Sequence, residues 1–141
     1  MLLKEILATK GPAVHTISPS DSIMDTVRKM VEHNCGSLVV CKGEEMVGII
    51  SERDILRTIA GSSDRLEEIS VESRMTKNVY SGSANDNIND TNGLMSKHRI
   101  RHLPVLENGK LCGLISIGDL VNAQHQMLSM ENHMLMSYIQ S

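Results

Sequence analysis

Gly113-Leu114-Ile115-Ser116-Ile117-Gly118-Asp119-Leu120 is an apolar run that ends in a hydroxyl and then, three residues on, a carboxylate where a helix would begin. The same design stands 65 positions upstream, as Gly48-Ile49-Ile50-Ser51-Glu52-Arg53-Asp54-Ile55. Outward from this stretch, Val79, Asp86, Ile88, Asp90, Met95, His98, Leu103, Val105 and Ile115 repeat Val14, Asp21, Ile23, Asp25, Met30, His33, Leu38, Val40 and Ile50, with no insertion or deletion. A unit of this length present twice points to two halves packed about a pseudo-twofold axis, not to an open solenoid.

Within the first unit, Val14-His15-Thr16-Ile17 alternates as a strand does, and Ser18-Pro19-Ser20-Asp21 supplies turn and N-cap chemistry. The next helix sets Ile23, Val27, Met30 and Val31 on one face and stops near Asn34-Cys35-Gly36. Ser37-Leu38-Val39-Val40-Cys41 has the continuous apolar character of a central strand, Lys42-Gly43-Glu44-Glu45 turns it, and Met46 to Ser51 returns. A helix from Asp54 through about Ala60 closes at Gly61. The order is strand, helix, strand, strand, helix, which makes the fold α/β.

In front, Leu2, Leu3, Ile6 and Leu7 have helical spacing that stops at Lys10-Gly11-Pro12. Residues 1–63 are thus the first repeat with a lead-in helix, 64–70 a charged connector, 71–122 the second repeat and 123–141 a C-terminal helix. The helix from Asn85 to His98 contains Asn87, Asn89, Asn92 and Gly93, poor helix formers that should leave it the more mobile of the pair. At the end, Leu120, Met127 and Met134 form one stripe and Val121, Leu128 and Leu135 the adjacent one. Such a Met-rich surface suits a second copy of the chain or a separate target protein.

The chain of 141 residues can bury a sizeable core without staples, roughly 68% of its unfolded surface by size alone. Ten Met but no Phe or Trp, with Tyr80 and Tyr138 the two aromatic residues besides His, leave little for bases to stack on, and a net charge of −3 gives no basic field. Nucleic-acid binding is therefore not expected. Cys35, Cys41 and Cys112 lack C-x-x-C spacing and read as small core residues of a reducing compartment. The charged opening segment is too short for a signal sequence, and no run approaches a membrane span, so a cytoplasmic location away from membranes is expected. Six scattered His, without H-E-x-x-H, give neither a metal centre nor a catalytic set, and the chain is read as not an enzyme.

An Asp at a helix start, with a Ser three residues earlier, can take both protons of a ribose cis-diol while the helix N-terminus favours a phosphate. S-x-x-D is also close to a capping box, but two copies in equivalent frames favour the ligand reading for Ser51, Asp54, Ser116 and Asp119. Arg99 and Arg101 share a face if the strand starts that early, with His102 on the other, where the first copy has Asn34, Gly36 and Ser37. Their guanidinium forks suit phosphate oxygens, the alternative being a solvated strand edge guarded against aggregation. Arg53, in place of Gly118, would restore one cation to the first copy.

The paired units, each ending in G-h-h-S-x-x-D-h (h, apolar) after a strand of the L-V-V or L-P-V kind, resemble the tandem CBS (cystathionine-β-synthase-type) domain pair, or Bateman module, from about Val14 to Val121. The resemblance implies two β-α-β-β-α halves and two clefts for adenosyl ligands such as AMP, ADP, ATP, NAD or S-adenosylmethionine. It places Asp54 and Asp119 on ribose hydroxyls, Ser51 and Ser116 near ribose or phosphate, and Val14, His15, Val79 and Tyr80 against adenine. Leu38 and Leu103 would contribute backbone, with Pro104 beside the latter, and Arg99, Arg101 and His102 match the phosphate-contacting segment. It also implies a regulatory module of the energy-sensing, signal-transducing kind, commonly a homodimer, the alternative being a dimerisation scaffold with a merely structural nucleotide. Two unequal sites are expected, the tighter using Asp119, and the arginines favour phosphate-bearing nucleotides over a sulfonium.

Overall fold

A computed structural model describes residues 1–11 and 14–140 and contains two three-stranded sheets. The first holds β1 (Thr16–Ile17), β2 (Ser37–Lys42) and β3 (Glu45–Ser51), with α2 (Ile23–His33) and α3 (Glu52–Gly61). The second holds β4 (Gly82–Ser83), β5 (His102–Glu107) and β6 (Lys110–Ser116), with α5 (Ile88–His98) and α6 (Ile117–Gln140). Each half is therefore β-α-β-β-α. The lead-in elements are α1 (Leu3–Lys10) and, after a 3₁₀ turn at Leu66–Glu68, the short α4 (Val71–Arg74).

The repeat persists down to the register. Ser37 lies opposite Ser51 and His102 opposite Ser116, and each hairpin slips at the same place, between Val40 and Cys41 and between Val105 and Leu106. Both first strands run parallel to their neighbours. Val39 donates its N–H to the His15 carbonyl at 3.4 Å, whereas Pro104, its counterpart, has no N–H to give the Tyr80 carbonyl.

Several boundaries differ from the sequence reading. The first strand has two residues, because only Thr16 and Ile17 pair in register with β2, and Val14 and His15 precede it. Ser22, not Ser20 or Asp21, caps α2: its hydroxyl accepts the Asp25 N–H at 3.0 Å, and the Asp25 carboxylate accepts the Ser22 N–H at 2.9 Å. Asp21 instead closes the preceding turn by accepting the Ser18 N–H. Val31 is 76% exposed, and the buried face of α2 is Ile23, Thr26 and Met30. The α5 helix starts at Ile88 under an Asn87 cap. Arg99 is its left-handed C-cap at φ 54°, so β5 begins only at His102 and Arg99 and Arg101 do not share a strand face. The last helix starts at Ile117; its final Ser141, like Pro12 of the first stop signal, lies outside the described residues.

The lead-in elements are exchanged between halves. Leu3 and Ile6 of α1 are buried with Ile88, Leu103, Ile115 and Leu120 of the second half, while Ile69 and Val71 are buried with Ile17, Ile23, Leu38 and Ile50 of the first. Burying such side chains fully is worth about 1.5–3 kcal/mol each, which ties the halves together. Matched backbone bonds fix the correspondence: Leu3 N–H to Asp86 O (3.0 Å) against Val71 N–H to Asp21 O (2.8 Å), and Lys4 N–H to Ala84 O (2.9 Å) against Glu72 N–H to Pro19 O (3.0 Å). Two glycines leave room for the contact: a Cβ on Gly113 would stand 2.4 Å from the Leu7 side chain, and one on Gly48 2.7 Å from the Met75 sulfur. Leu7 thus corresponds to Met75, beyond which α1 continues through Ala8, Thr9 and Lys10 while α4 has already ended.

Candidate functional site

In the second half, the end of β6 and the start of α6 form a capping box. Ser116 Oγ accepts the Asp119 N–H at 3.1 Å, and Asp119 Oδ2 accepts the Ser116 N–H at 2.9 Å. The same Oδ2 accepts from Lys10 Nζ at 2.8 Å, and that ammonium also donates to the Leu114 carbonyl at 2.8 Å. Among the described residues nothing bonds to Asp119 Oδ1. The side chain is half-buried at 21% exposure, which leaves that oxygen presented at a helix N-terminus.

Three basic residues approach the start of α6 from different elements. The Arg101 carbonyl accepts the Ile117 N–H at 2.9 Å, which sets Arg101 against the first turn of α6. His102 faces Ser116 across the hairpin, and Lys10 arrives from α1. Burial holds the His102 imidazole pKa below its usual value, and Lys10 and Arg101 push it the same way against the pull of Glu52 and Asp119. Burial alone would raise the Asp119 pKa, but the Lys10 ammonium and the Ser116 N–H outweigh it, and the carboxyl titrates below its ordinary range. Arg99 is exposed at the end of α5, one turn before this group.

The first half builds the equivalent place differently. Ser51 donates both its N–H (2.9 Å) and its hydroxyl (3.2 Å) to Asp54 Oδ2, and Thr76 donates to Oδ1 at 3.4 Å. Asp54 is 8% exposed and more enclosed than Asp119. Beside it, Ser37 lies opposite Ser51 with its hydroxyl buried and, among the described residues, without a hydrogen-bond partner. Leaving such a hydroxyl unpaired costs about 1–3 kcal/mol. Arg53 is exposed on the first turn of α3.

Two of the residues assigned to adenine are engaged in ring stacking. His15 stacks on His33 with ring centroids 3.8 Å apart, and Tyr80 stacks on His98 at 4.0 Å, so the aromatic pair is itself repeated. Val14 and Val79 are half-buried beside these rings in the chain, and Leu38, Leu103 and Pro104 are buried in the central strands. Among the described residues no hydrogen bond joins His15 or Tyr80 to Asp54 or Asp119. Sequence reasoning missed Ser37, Lys10, Thr76 and the partners His33 and His98 of the stacked rings. Ser37 was recoverable, because it is the 65-residue counterpart of His102. Lys10 and Thr76 were not, since each comes from a lead-in element that crosses to the other half.

Among the described residues there is no group of His, Cys, Asp or Glu that could hold a metal ion, and no helix is long and apolar enough to cross a membrane. The CBS domain family model matches the chain twice, over residues 3–61 and 66–126. An uncharacterized 17.7 kDa protein of Acidianus ambivalens is 38% identical over 123 residues, covering 86% of this chain and 71% of its own length. The crystal structure of the CBS-domain-containing protein ATU1752 from Agrobacterium tumefaciens superposes with a TM-score of 0.84 at 37% identity, covering 88% of this chain and 99% of that one. The CBS domain pair of protein MJ0100, solved in complex with 5′-methylthioadenosine and S-adenosyl-L-methionine, gives a TM-score of 0.77 at 25% identity, over 87% of this chain and 98% of that one. The doubled β-α-β-β-α unit, the repeated hairpin register and these matches agree: the chain belongs to the CBS-domain family and is built as a tandem pair.

Proposed function

We propose that the two clefts bind adenine nucleotides, AMP, ADP, ATP or an NAD-type dinucleotide, and that the pair is a regulatory module reporting their level to a separate protein by a change of conformation or assembly. The observation that carries this reading is Asp119: a carboxylate with one unpaired oxygen, at a helix N-terminus, beside Arg101 and His102. A ribose cis-diol supplies the donors that Oδ1 lacks, and a phosphate answers the cations. Ser116 supports the same end of the ligand, and Arg99 extends the cationic rim. Adenine would lie against Val79 and Tyr80, whose carbonyl Pro104 leaves open, next to Leu103. In the first cleft Asp54, Ser51 and Arg53 take the corresponding parts, with Val14, His15 and Leu38 at the base.

The capping boxes do not compete with this assignment. Each uses a single carboxylate oxygen, Oδ2; among the described residues Asp119 Oδ1 has no partner, while Asp54 Oδ1 accepts only the long 3.4 Å bond from Thr76, which a ligand hydroxyl would have to replace. The bound adenosyl compounds of the MJ0100 pair support an adenosine-shaped cleft in a relative, and the cations here turn the choice toward phosphate-bearing ligands. The protein is read as non-catalytic, cytoplasmic and homodimeric. An open apolar groove of about 400 Å³ between α2 and α3, lined by Val27, Val31, Ile55 and Leu56, and the exposed Val121, Leu128 and Leu135 of α6 support the last point.

The competing reading is a dimerisation scaffold in which any nucleotide only completes the fold. A melting series against AMP, ADP, ATP, NAD, NADH and S-adenosylmethionine separates the two. A ligand at about 100 times its dissociation constant adds roughly 2.7 kcal/mol, a shift of several degrees. The nucleotide reading expects that shift from at least one phosphate-bearing compound, and a flat panel sinks it.

A further inference from the structure

The two halves differ most sharply at the end of their lead-in elements. Leu3 and Lys4 make backbone bonds to the opposite half that match those of Val71 and Glu72, and the Leu7 and Met75 side chains then lie against equivalent glycines. After that α1 adds one more turn, Ala8-Thr9-Lys10, and its last residue reaches Asp119, whereas in the other half Asp54 Oδ1 meets, among the described residues, only the Thr76 hydroxyl. We propose that Lys10 is a tethered cation that selects for phosphorylated ligands at the Asp119 cleft. It pairs with the ribose-binding carboxylate and moves to the phosphate when a nucleotide enters. This rests on the nucleotide reading of that cleft and names the ligand class it admits.

The geometry supports such a handover. Lys10 makes two bonds, both at 2.8 Å, and only one is to the carboxylate; the other, to the Leu114 carbonyl, can hold the ammonium nearby while its second partner changes. Its side chain is 38% exposed, so it is free to swing on a flexible stem. The ammonium also lies within electrostatic reach of His102, the residue opposite Ser116. A ribose whose cis-diol engages both carboxylate oxygens competes with the ammonium for Oδ2 and offers it nothing in return. A ribose phosphate displaces it and supplies an anion, so the same lysine disfavours nucleosides and favours nucleotides.

Calorimetric titration of adenosine and AMP into the wild-type chain, Lys10→Met and Lys10→Arg tests this. The expected result is that Lys10→Met binds adenosine more tightly and AMP more weakly, so that the AMP-to-adenosine preference falls by roughly tenfold or more, the scale of one charge-assisted contact. Lys10→Arg, which keeps the cation, should retain most of the preference. If the wild type binds AMP and Lys10→Met leaves the ratio unchanged, the selector role is overturned while the nucleotide reading stands. If neither ligand binds any of the three proteins, both fall together. Proton-detected titration of Asp119 gives a check without ligand: its carboxyl pKa should rise in Lys10→Met, and an unchanged value overturns the pairing itself.

Discussion

At the scale of single residues, His102 is the group whose charge is most constrained. Its imidazole is held neutral by burial and by the positive charges of Lys10 and Arg101, so its folded pKa lies below the unfolded value of 6.5. A depressed pKa means that the unfolded chain takes up the proton first; the corresponding stability is present above about pH 6.5 and is lost as pH falls through the folded pKa. His15 is shifted the same way, by burial and then by the His33 and Lys29 charges. The melting midpoint should therefore drop as pH falls below about 6.5, and His102→Gln should flatten part of that slope. A phosphate near His102 would raise its pKa, so AMP binding should take up protons and strengthen toward pH 6; adenosine binding should lack that gain. Ser116 and Asp119 stood out in the sequence because their pattern recurs at a fixed spacing, and His102 because it adjoins Arg101 in the copy that carries the cations. Ser37 carries no signal of its own, and its importance comes from being buried without a partner among the described residues.

At the scale of elements, hydrophobic spacing and turn residues were enough to place both hairpins and the helices that follow them. What they could not supply was the exchange of α1 and α4 between halves, because an apolar stripe records that a helix is covered and not by what. Ends were also misplaced where two residue types compete for one cap, as at Ser20, Asp21 and Ser22, and where a left-handed residue, Arg99, delayed a strand. The exchange makes Gly48 and Gly113 structural. A Cβ on Gly48 would stand 2.8 Å from the Thr76 carbonyl, which is fixed by its bond from the Ile49 N–H at 3.0 Å, whereas on Gly113 the obstacle is only the Leu7 side chain. Gly48→Ala should cost about 1–3 kcal/mol, and Gly113→Ala less, because a side chain can repack where a backbone cannot. Thermal unfolding of the two variants gives the order directly.

At the scale of the whole molecule, the duplication was legible from one end to the other, and the inequality of its halves only in part. The arginines of the second half were visible in the sequence; the enclosure of Asp54 and the Lys10 contact arise only once the lead-in elements are in place. The exposed stripe of α6, with Val121, Leu128 and Leu135 uncovered, leads to an expectation about assembly. Replacing Leu128 and Leu135 together by Glu should convert a dimer to a monomer in sedimentation equilibrium without unfolding the halves. A wild-type chain that is monomeric at all concentrations would remove that role from the stripe.

The central claim is that the carboxylates beginning α3 and α6 hold a ribose, and calorimetric titration of AMP into the wild type, Asp119→Ala and Asp54→Ala tests it most directly. The account predicts that the wild type binds and that Asp119→Ala loses at least roughly tenfold in affinity, as expected for a charge-assisted contact, while the fold loses only the ~0.5–2 kcal/mol of a helix cap. Asp54→Ala should weaken binding less, in keeping with the more enclosed first cleft. An Asp119→Ala protein that binds AMP as the wild type does would contradict the account and leave Asp119 a helix cap alone.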